Sequence, residues 1–265
     1  MRVKMTTVMC VLSLCVLGGA ASAQVTVERL TWAGIKLVHE DTTVLIDAVG
    51  TDLWDGNAPG GLVPVSSETG RTYALITHAH NDHFDFNTLQ TVLGERGYVI
   101  AHESEAGYIA SRGLRVVAAK LWTPVARGGF LFTAVPAVDG MGDGQVSWVI
   151  TVDARRFFHG GDTLWHGGWS LVGQQFGPFE LAFLPINAAR ILRDPMPESA
   201  ISMNPTQAID AALLLGAETL VPIHFGLDDP PYYVETPDAL ARLRREATAR
   251  KLALQVMQPG DKLAP

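Results

Sequence analysis

From residue 25 onward, short apolar runs alternate with glycine, proline and acidic breaks along the whole chain. Residues 25–32, 34–39 and 43–47 are β-rich and are separated by Gly34 and by Glu40-Asp41, which predicts an antiparallel meander. A loop with five glycines, two prolines and Trp54 follows at 49–71. Loops of that length in compact domains are commonly functional, and Trp54 could either wall a pocket or pin the loop to the core. The apolar run 74–77 predicts a buried strand, after which Asp85 is placed to cap a helix from Phe86 to Gly94. Strand then helix repeats at 98–101 and 103–111, and strands follow at 115–117, 129–136 and 146–152. Asn204-Pro205 supplies a capping amide and a first-turn proline for a helix over 206–215, which Gly216 ends. A strand at 219–222, an amphipathic helix at 237–250 and a strand at 253–257 complete the pattern, with no internal sequence repeat.

Residues 1–23 depart from that pattern. Arg2 and Lys4 precede an apolar run from Val8 to Leu17, and Ala21-Ser22-Ala23 follows, the order of a secretory signal peptide cleaved before Gln24. The run falls short of the roughly 20 residues a bilayer span needs, so no stable membrane insertion is expected after cleavage. The remaining 24–265 reads as one domain, exported to the periplasm or the medium. Both cysteines, Cys10 and Cys15, lie in the leader, so the mature chain would form no disulfide. With 48% hydrophobic and 18% charged residues, a large core is possible and extensive disorder is excluded. The formal charge is −7, and losing Arg2 and Lys4 leaves 18 basic against 27 acidic side chains, which argues against nucleic acid as a partner; the expected partner is a small-molecule substrate. Oligomeric state is open.

The candidate chemistry is concentrated in Thr77-His78-Ala79-His80-Asn81-Asp82-His83-Phe84-Asp85, three imidazoles and two carboxylates directly after the 74–77 run. Nitrogen and oxygen ligands of this kind suit first-row divalent cations. His78 and His80 are two apart, so an extended backbone points both rings to one side, whereas Asp82 and His83 come after a turn. One metal could take the first pair and a second metal the other. A surface loop would explain a lone histidine, but not four potential ligands within 78–83.

This stretch resembles the His-x-His-x-Asp-His signature of the metallo-β-lactamase superfamily, and Phe84-Asp85 fits its continuation. Residues 43–47 resemble the family's early strand ending in aspartate, Gly160-Gly161-Asp162-Thr163 its Gly-Asp-Thr, and Pro222-Ile223-His224-Phe225-Gly226 its terminal Pro-x-His. The resemblance implies an α/β (α+β) fold, a four-layer αββα sandwich of two mixed sheets with helices on the outer faces. It implies two zinc ions, or manganese, with His78 and His80 on the first, Asp82, His83 and His224 on the second, and Asp162 bridging. A metal-bridged water or hydroxide would then attack a carbonyl or phosphorus. Asp82 and Asp162 would orient the nucleophile or move protons, and Asp47, and similarly Asp85, would accept hydrogen bonds that orient ligands.

One position departs from the family. Its Val-Pro-Ala-x-His run reads Val135-Pro136-Ala137-Val138-Asp139 here, so Asp139 stands where the first metal's third histidine is expected, a harder ligand that favours harder ions. His166, and with less force His159, are the candidate substitutes, and His102 reads as a surface or capping histidine. Met203-Asn204-Pro205 resembles the branch containing ascorbate-6-phosphate lactonase and N-acyl-phosphatidylethanolamine phospholipase D. The expected activity is hydrolysis of a lactone, ester or phosphodiester. The alternative is a non-catalytic metal- or ligand-binding descendant whose first site degenerated. Trp54, Trp122, Trp165 and Trp169 either line the cleft or fill the core.

Overall fold

The computed structural model describes residues 24–67, 70–192, 199–227 and 232–265; the segment read as a signal peptide lies outside the described residues. In chain order the elements are β1 (Thr26–Arg29), β2 (Ile35–His39), β3 (Thr42–Ile46), β4 (Arg71–Ile76), α1 (Phe86–Leu93), β5 (Tyr98–His102), α2 (Glu103–Ser111), β6 (Val116–Ala119), β7 (Pro124–Arg127), β8 (Phe130–Pro136), β9 (Val146–Val152), β10 (Arg155–His159), α3 (Trp169–Phe176), β11 (Phe179–Pro185), β12 (Arg190–Ile191), α4 (Pro205–Leu215), β13 (Ala217–Ile223), β14 (Tyr233–Val234), α5 (Ala239–Arg250), β15 (Ala253–Leu254) and β16 (Lys262–Leu263).

Two seven-stranded sheets form, in the orders β16-β1-β2-β3-β4-β5-β6 and β15-β13-β11-β10-β9-β8-β7. Each is mixed. In the first, β1, β2 and β3 pair antiparallel and β3 through β6 parallel; in the second, β7 through β10 pair antiparallel and β10, β11, β13 and β15 parallel. Alternation along β3 shows how the layers arise. Val44 and Ile46 point into the core between the sheets, where they share a cluster with Phe132, Trp148 and Phe183, while Leu45 faces outward to a second cluster with Leu89 of α1 and Ile109 of α2. A third cluster buries α3, α4 and α5 against the other sheet, so the order is helix, sheet, sheet, helix.

The local signals hold where they are strong. Asn204 and Gln207 form a reciprocal capping box at the start of α4, and Gly216 closes it at φ 67°. His102 caps α2, its ring accepting from Ser104 N. Helix α3 and the edge strands β7 and β16 carry no strong local signal, and β16 exists because Leu263 and Lys262 pair with Val27 and Glu28 at the other end of the domain.

Candidate metal centre

Several elements end at one edge of the sandwich, and the chemistry collects there. β3 ends before Asp47, β4 before Thr77-His78, β8 before the loop to Asp139, β10 before Gly160-Gly161-Asp162, and β13 before His224. Parallel pairing of β3 with β4, and of β10, β11 and β13, brings these C-terminal ends together. Asp47 and His224 both sit at positive φ, 44° and 53°, as does Trp32 at 58° beside them. Left-handed backbone at a non-glycine residue costs about 1–2 kcal/mol, and it persists here where hydrogen bonds hold the side chains.

Three groups of side chains bring their ligand atoms within 4.8 Å of one another: His78, His80 and Asp139; His78, His83 and Asp162; and Asp82, His83 and His224. Asp162 Oδ1 lies 3.7 Å from His78 Nε2, and its Oδ2 lies 3.9 Å from His83 Nε2 and 3.8 Å from His224 Nε2. Asp82 Oδ2 is 3.5 Å from both His83 Nε2 and His224 Nε2, and Asp139 Oδ2 is 3.9 Å from His78 Nε2 and 3.8 Å from His80 Nδ1. Metal–ligand bonds of about 2.0–2.2 Å separate tetrahedral ligands by roughly 3.4 Å, so these spacings suit two cations with Asp162 facing both.

The surrounding hydrogen bonds fix which nitrogen of each ring points inward. Asp47, fully buried, accepts from Thr77 N at 2.9 Å, from the Thr77 hydroxyl at 2.7 Å and from His83 Nδ1 at 2.8 Å. Having donated its proton to Asp47, the Thr77 hydroxyl accepts from His78 Nδ1 at 3.0 Å, which turns His78 Nε2 inward, 2.8 Å from His80 Nδ1. His80 Nε2 donates to Asp143 at 2.8 Å and leaves Nδ1 inward; His224 Nδ1 faces Asn187 Oδ1 at 3.4 Å. His83 Nε2 and His224 Nε2 are buried with no hydrogen-bond partner among the described residues, a costly state for a polar atom unless an ion completes it. Trp32 Nε1 donates to Asp82 Oδ2 at 3.0 Å, and the Trp32 ring packs on His224 with centroids 4.2 Å apart.

Electrostatics follow from this crowding. Burial alone would raise the carboxyl of Asp162, but His78, His83 and His224 bring it below the ordinary range, and Asp47 and Asp82 are lowered against burial chiefly by His83. His83 responds in the opposite sense: burial would lower it, yet Asp82, Asp162 and Asp47 lift it to about 10. The metal-free site thus holds a proton where a cation fits.

Other candidates sit elsewhere. Asp85 does not reach the centre: it caps α1 through Thr88 N at 3.1 Å and Thr88 Oγ1 at 2.6 Å, and it anchors the long loop through Gly50 N at 3.1 Å and Thr51 N at 2.7 Å. The turn chemistry of an aspartate before a helix explains it fully. His166 is also displaced from the centre, stacked on Trp169 at 4.4 Å with Nδ1 accepting from Gly168 N, and it is Asp139 that lies beside His78 and His80. His159 is likewise not a ligand: Nε2 donates to Ala33 O at 2.9 Å and Nδ1 accepts from Gly161 N at 3.1 Å, which holds the turn before Asp162. Gly161 itself is at φ 66°, and a Cβ there would meet Gln145 Nε2 at 2.6 Å, the donor that binds Asp162 Oδ1 at 2.8 Å. Of the four tryptophans, Trp54 packs on Trp32 and walls a cleft, Trp169 is core, Trp122 stacks on Phe176, and Trp165 is 39% exposed.

Asn187, Tyr233, Gln145, Asp143 and Trp32 escape the sequence reading. A signal for Asn187 was present: it follows the buried end of β11 as the other site residues follow β4, β10 and β13. Two cavities open on the centre. One, about 280 Å³, is walled by Met141, Ile191, Ile201 and Tyr233 above Asp82, Asp162 and His224; the other, about 560 Å³, has Leu53, Trp54, Asp55 and Asn57 and shares Asn81 and Asp82 with the first.

A helix-flanked double sheet carrying these histidine and carboxylate groups at its edge defines a metal-dependent hydrolase with the metallo-β-lactamase fold. The chain belongs to the β-lactamase superfamily domain family, which matches residues 42–225. It is similar to a metal-dependent hydrolase of Thermococcus kodakarensis, 25% identical over 234 residues that span 86% of this chain and 94% of the relative. Among solved structures it resembles a metallo hydrolase from Ignicoccus hospitalis, with TM-score 0.69, 21% identity, and coverage of 91% of this chain and 97% of the other. CmlA, a diiron β-hydroxylase from Streptomyces venezuelae, shares the fold at TM-score 0.75 and 19% identity, over 93% of this chain and 55% of that one.

Proposed function

We propose that this chain is an exported hydrolase that holds two divalent cations and cleaves a small lactone, ester or phosphodiester. The observation that carries the reading is Asp162, whose two oxygens each face a different set of imidazole nitrogens. His78, His80 and Asp139 would hold one ion and Asp82, His83 and His224 the other. Ions bound there supply an acidified water and polarise the group under attack. The chain's own part is orientation: Asp47, Thr77, Asp143 and Asn187 set the rings, Trp32 holds Asp82, and Gln145 holds Asp162. Met141, Ile191 and Ile201 along the smaller cavity support a substrate with an apolar part, which favours a lactone or ester over a phosphodiester. Elemental analysis of purified protein together with lactone, ester and phosphodiester substrates tests this. Two ions per chain and turnover of an uncharged ester or lactone are expected; a metal-replete protein inert toward all three classes would overturn it.

The rival reading, a non-catalytic descendant, draws on Asp139 alone. Against it, Asp139 Oδ1 accepts from Met141 N and Asp143 N at 2.6 and 3.2 Å, which turns Oδ2 toward His78 and His80. An anionic oxygen there makes the site harder and lets manganese or iron compete better with zinc. Asp139→Asn keeps the loop bonds and removes the charge, and Asp139→Ala removes both. Either variant, stripped with chelator and refilled, is expected to bind close to one ion per chain, whereas Asp139→His is expected to restore zinc binding and raise the preference for zinc over manganese. Unchanged stoichiometry and preference in all three would remove Asp139 from the site.

Export rests on residues 1–23. Intact-mass analysis of protein recovered outside the cytoplasm is expected to show a chain beginning at Gln24; a mass that retains the leader, or a lipid on Cys15, would refute it.

A further inference from the structure

Tyr233 stands on the two-stranded ribbon that β12 and β14 form beside the centre, where it pairs with Ile191. Its side chain lines the smaller cavity with Asp82, Asp162 and His224. Its hydroxyl oxygen accepts from Asn187 Nδ2 at 2.8 Å. Asn187 is fully buried and fully committed: Nδ2 also donates to Glu235 Oε1 at 3.1 Å, and Oδ1 accepts from the Ser202 hydroxyl at 2.5 Å while facing His224. Glu235 is in turn held by Gly226 N at 2.9 Å and Leu227 N at 3.1 Å.

This network fixes the direction of one hydrogen. Both amide hydrogens of Asn187 are used, so the phenol oxygen serves as acceptor toward Asn187, and its own hydrogen has no acceptor among the described residues. The cavity wall otherwise offers the carboxylates of Asp82 and Asp162, the imidazoles of His80 and His224, the amide of the exposed Asn81, and the apolar Met141, Ile191 and Ile201. Negative charge that develops on a substrate oxygen in that space faces both aspartates, and a neutral donor already in place would add to the stabilisation that bound ions supply. A phenol held by a buried amide is such a donor, and it needs no reorganisation when the charge appears.

We propose that Tyr233 is a catalytic residue that donates a hydrogen bond to the oxygen on which charge accumulates when a substrate at this centre is attacked, with Asn187 as the positioning residue that aims it. No proton changes hands; the phenol stays intact throughout. The proposal rests on the hydrolytic reading above, but its donor chemistry can be measured without turnover.

Tyr233→Phe removes the hydroxyl and keeps the ring. In zinc-loaded protein, metal content and circular dichroism should match wild type, kcat on the best ester or lactone should fall about 100-fold with KM little changed, and calorimetric affinity for methylphosphonate, a tetrahedral oxyanion, should fall on the order of 10-fold. Tyr232→Phe, at an exposed neighbour, should change none of these. Asn187→Ala also frees the His224 ring, so it is compared at matched zinc content: there it should lower methylphosphonate affinity, and Tyr233→Phe should cost less affinity in the Asn187→Ala background than in wild type. Equal methylphosphonate affinity in wild type and Tyr233→Phe, no measurable binding by either, or loss of metal from Tyr233→Phe would each overturn the proposal. If the zinc-loaded wild type turns over no substrate, the hydrolytic reading fails, while the methylphosphonate comparison still decides whether Tyr233 is a donor into the site.

Discussion

Asp162→Asn is expected to leave the fold intact, to lower bound metal from two ions per chain toward one, and to reduce turnover by more than the roughly 10–100-fold typical of losing a residue that only supports a ligand. The reason is the position of its two oxygens. Gln145 Nε2 donates to Oδ1, so an asparagine keeps its carbonyl there and turns its NH2 toward His83 and His224. A donor with no lone pair to offer then faces the second ion, and one negative charge is gone from between the two cations. The ion retained should be the one at His78, His80 and Asp139, so adding Asp82→Ala to Asp162→Asn should not reduce metal content further. Elemental analysis of the single and double variants, with near-ultraviolet circular dichroism as the check on folding, measures this. Two ions in Asp162→Asn, with wild-type rate, would mean that the carboxylate bridges nothing.

Changes at Asp47 are expected to damage stability and metal binding together. Asp47 has no exposure and accepts from three donors, and removing one partner of a buried hydrogen-bonded charge costs about 3–5 kcal/mol. Asp47→Ala loses all three bonds and also places alanine at φ 44°, which aspartate and asparagine tolerate better. Asp47→Asn separates the two effects. Its oxygen can still accept from Thr77 N, but its NH2 meets the N–H of His83, and relief comes only if the His83 proton moves to Nε2, the atom that faces the metal. Thermal denaturation of stripped protein should therefore show Ala well below Asn and Asn below wild type, and zinc affinity should fall about 10–100-fold in Asn. A variant with wild-type melting and wild-type zinc affinity would show that Asp47 does not orient His83.

The two positions also show how much of the site could be read from sequence. His78, His80, Asp82 and His83 lie within six residues of one another, and the structure brings all four together at one edge of the sandwich. Asp85 belongs to the same short stretch, yet an aspartate before a helix is equally well explained by capping, and capping is what it does. His166 was a candidate because it lies four residues from Asp162 in sequence, but the turn carries its ring onto Trp169. Nothing local could exclude that, since ring stacking with a residue three positions ahead depends on where α3 begins, and α3 has no side-chain cap to announce it.

What the sequence alone determined were features whose interactions close within a few residues: the alternation along β1 to β3, the capping box and left-handed glycine of α4, the turn after β4 that carries the histidines. Tertiary structure decided everything that depends on strands meeting at one edge. Only there does Asp139 come within 4 Å of His78, Trp32 reach Asp82 across 50 positions, and Asn187 join Tyr233 across 46. A hydrogen bond or a metal site is sensitive to tenths of an ångström and indifferent to separation along the chain, so these partners become visible only when parallel pairing of β3 with β4 and of β10, β11 and β13 sets their ends side by side.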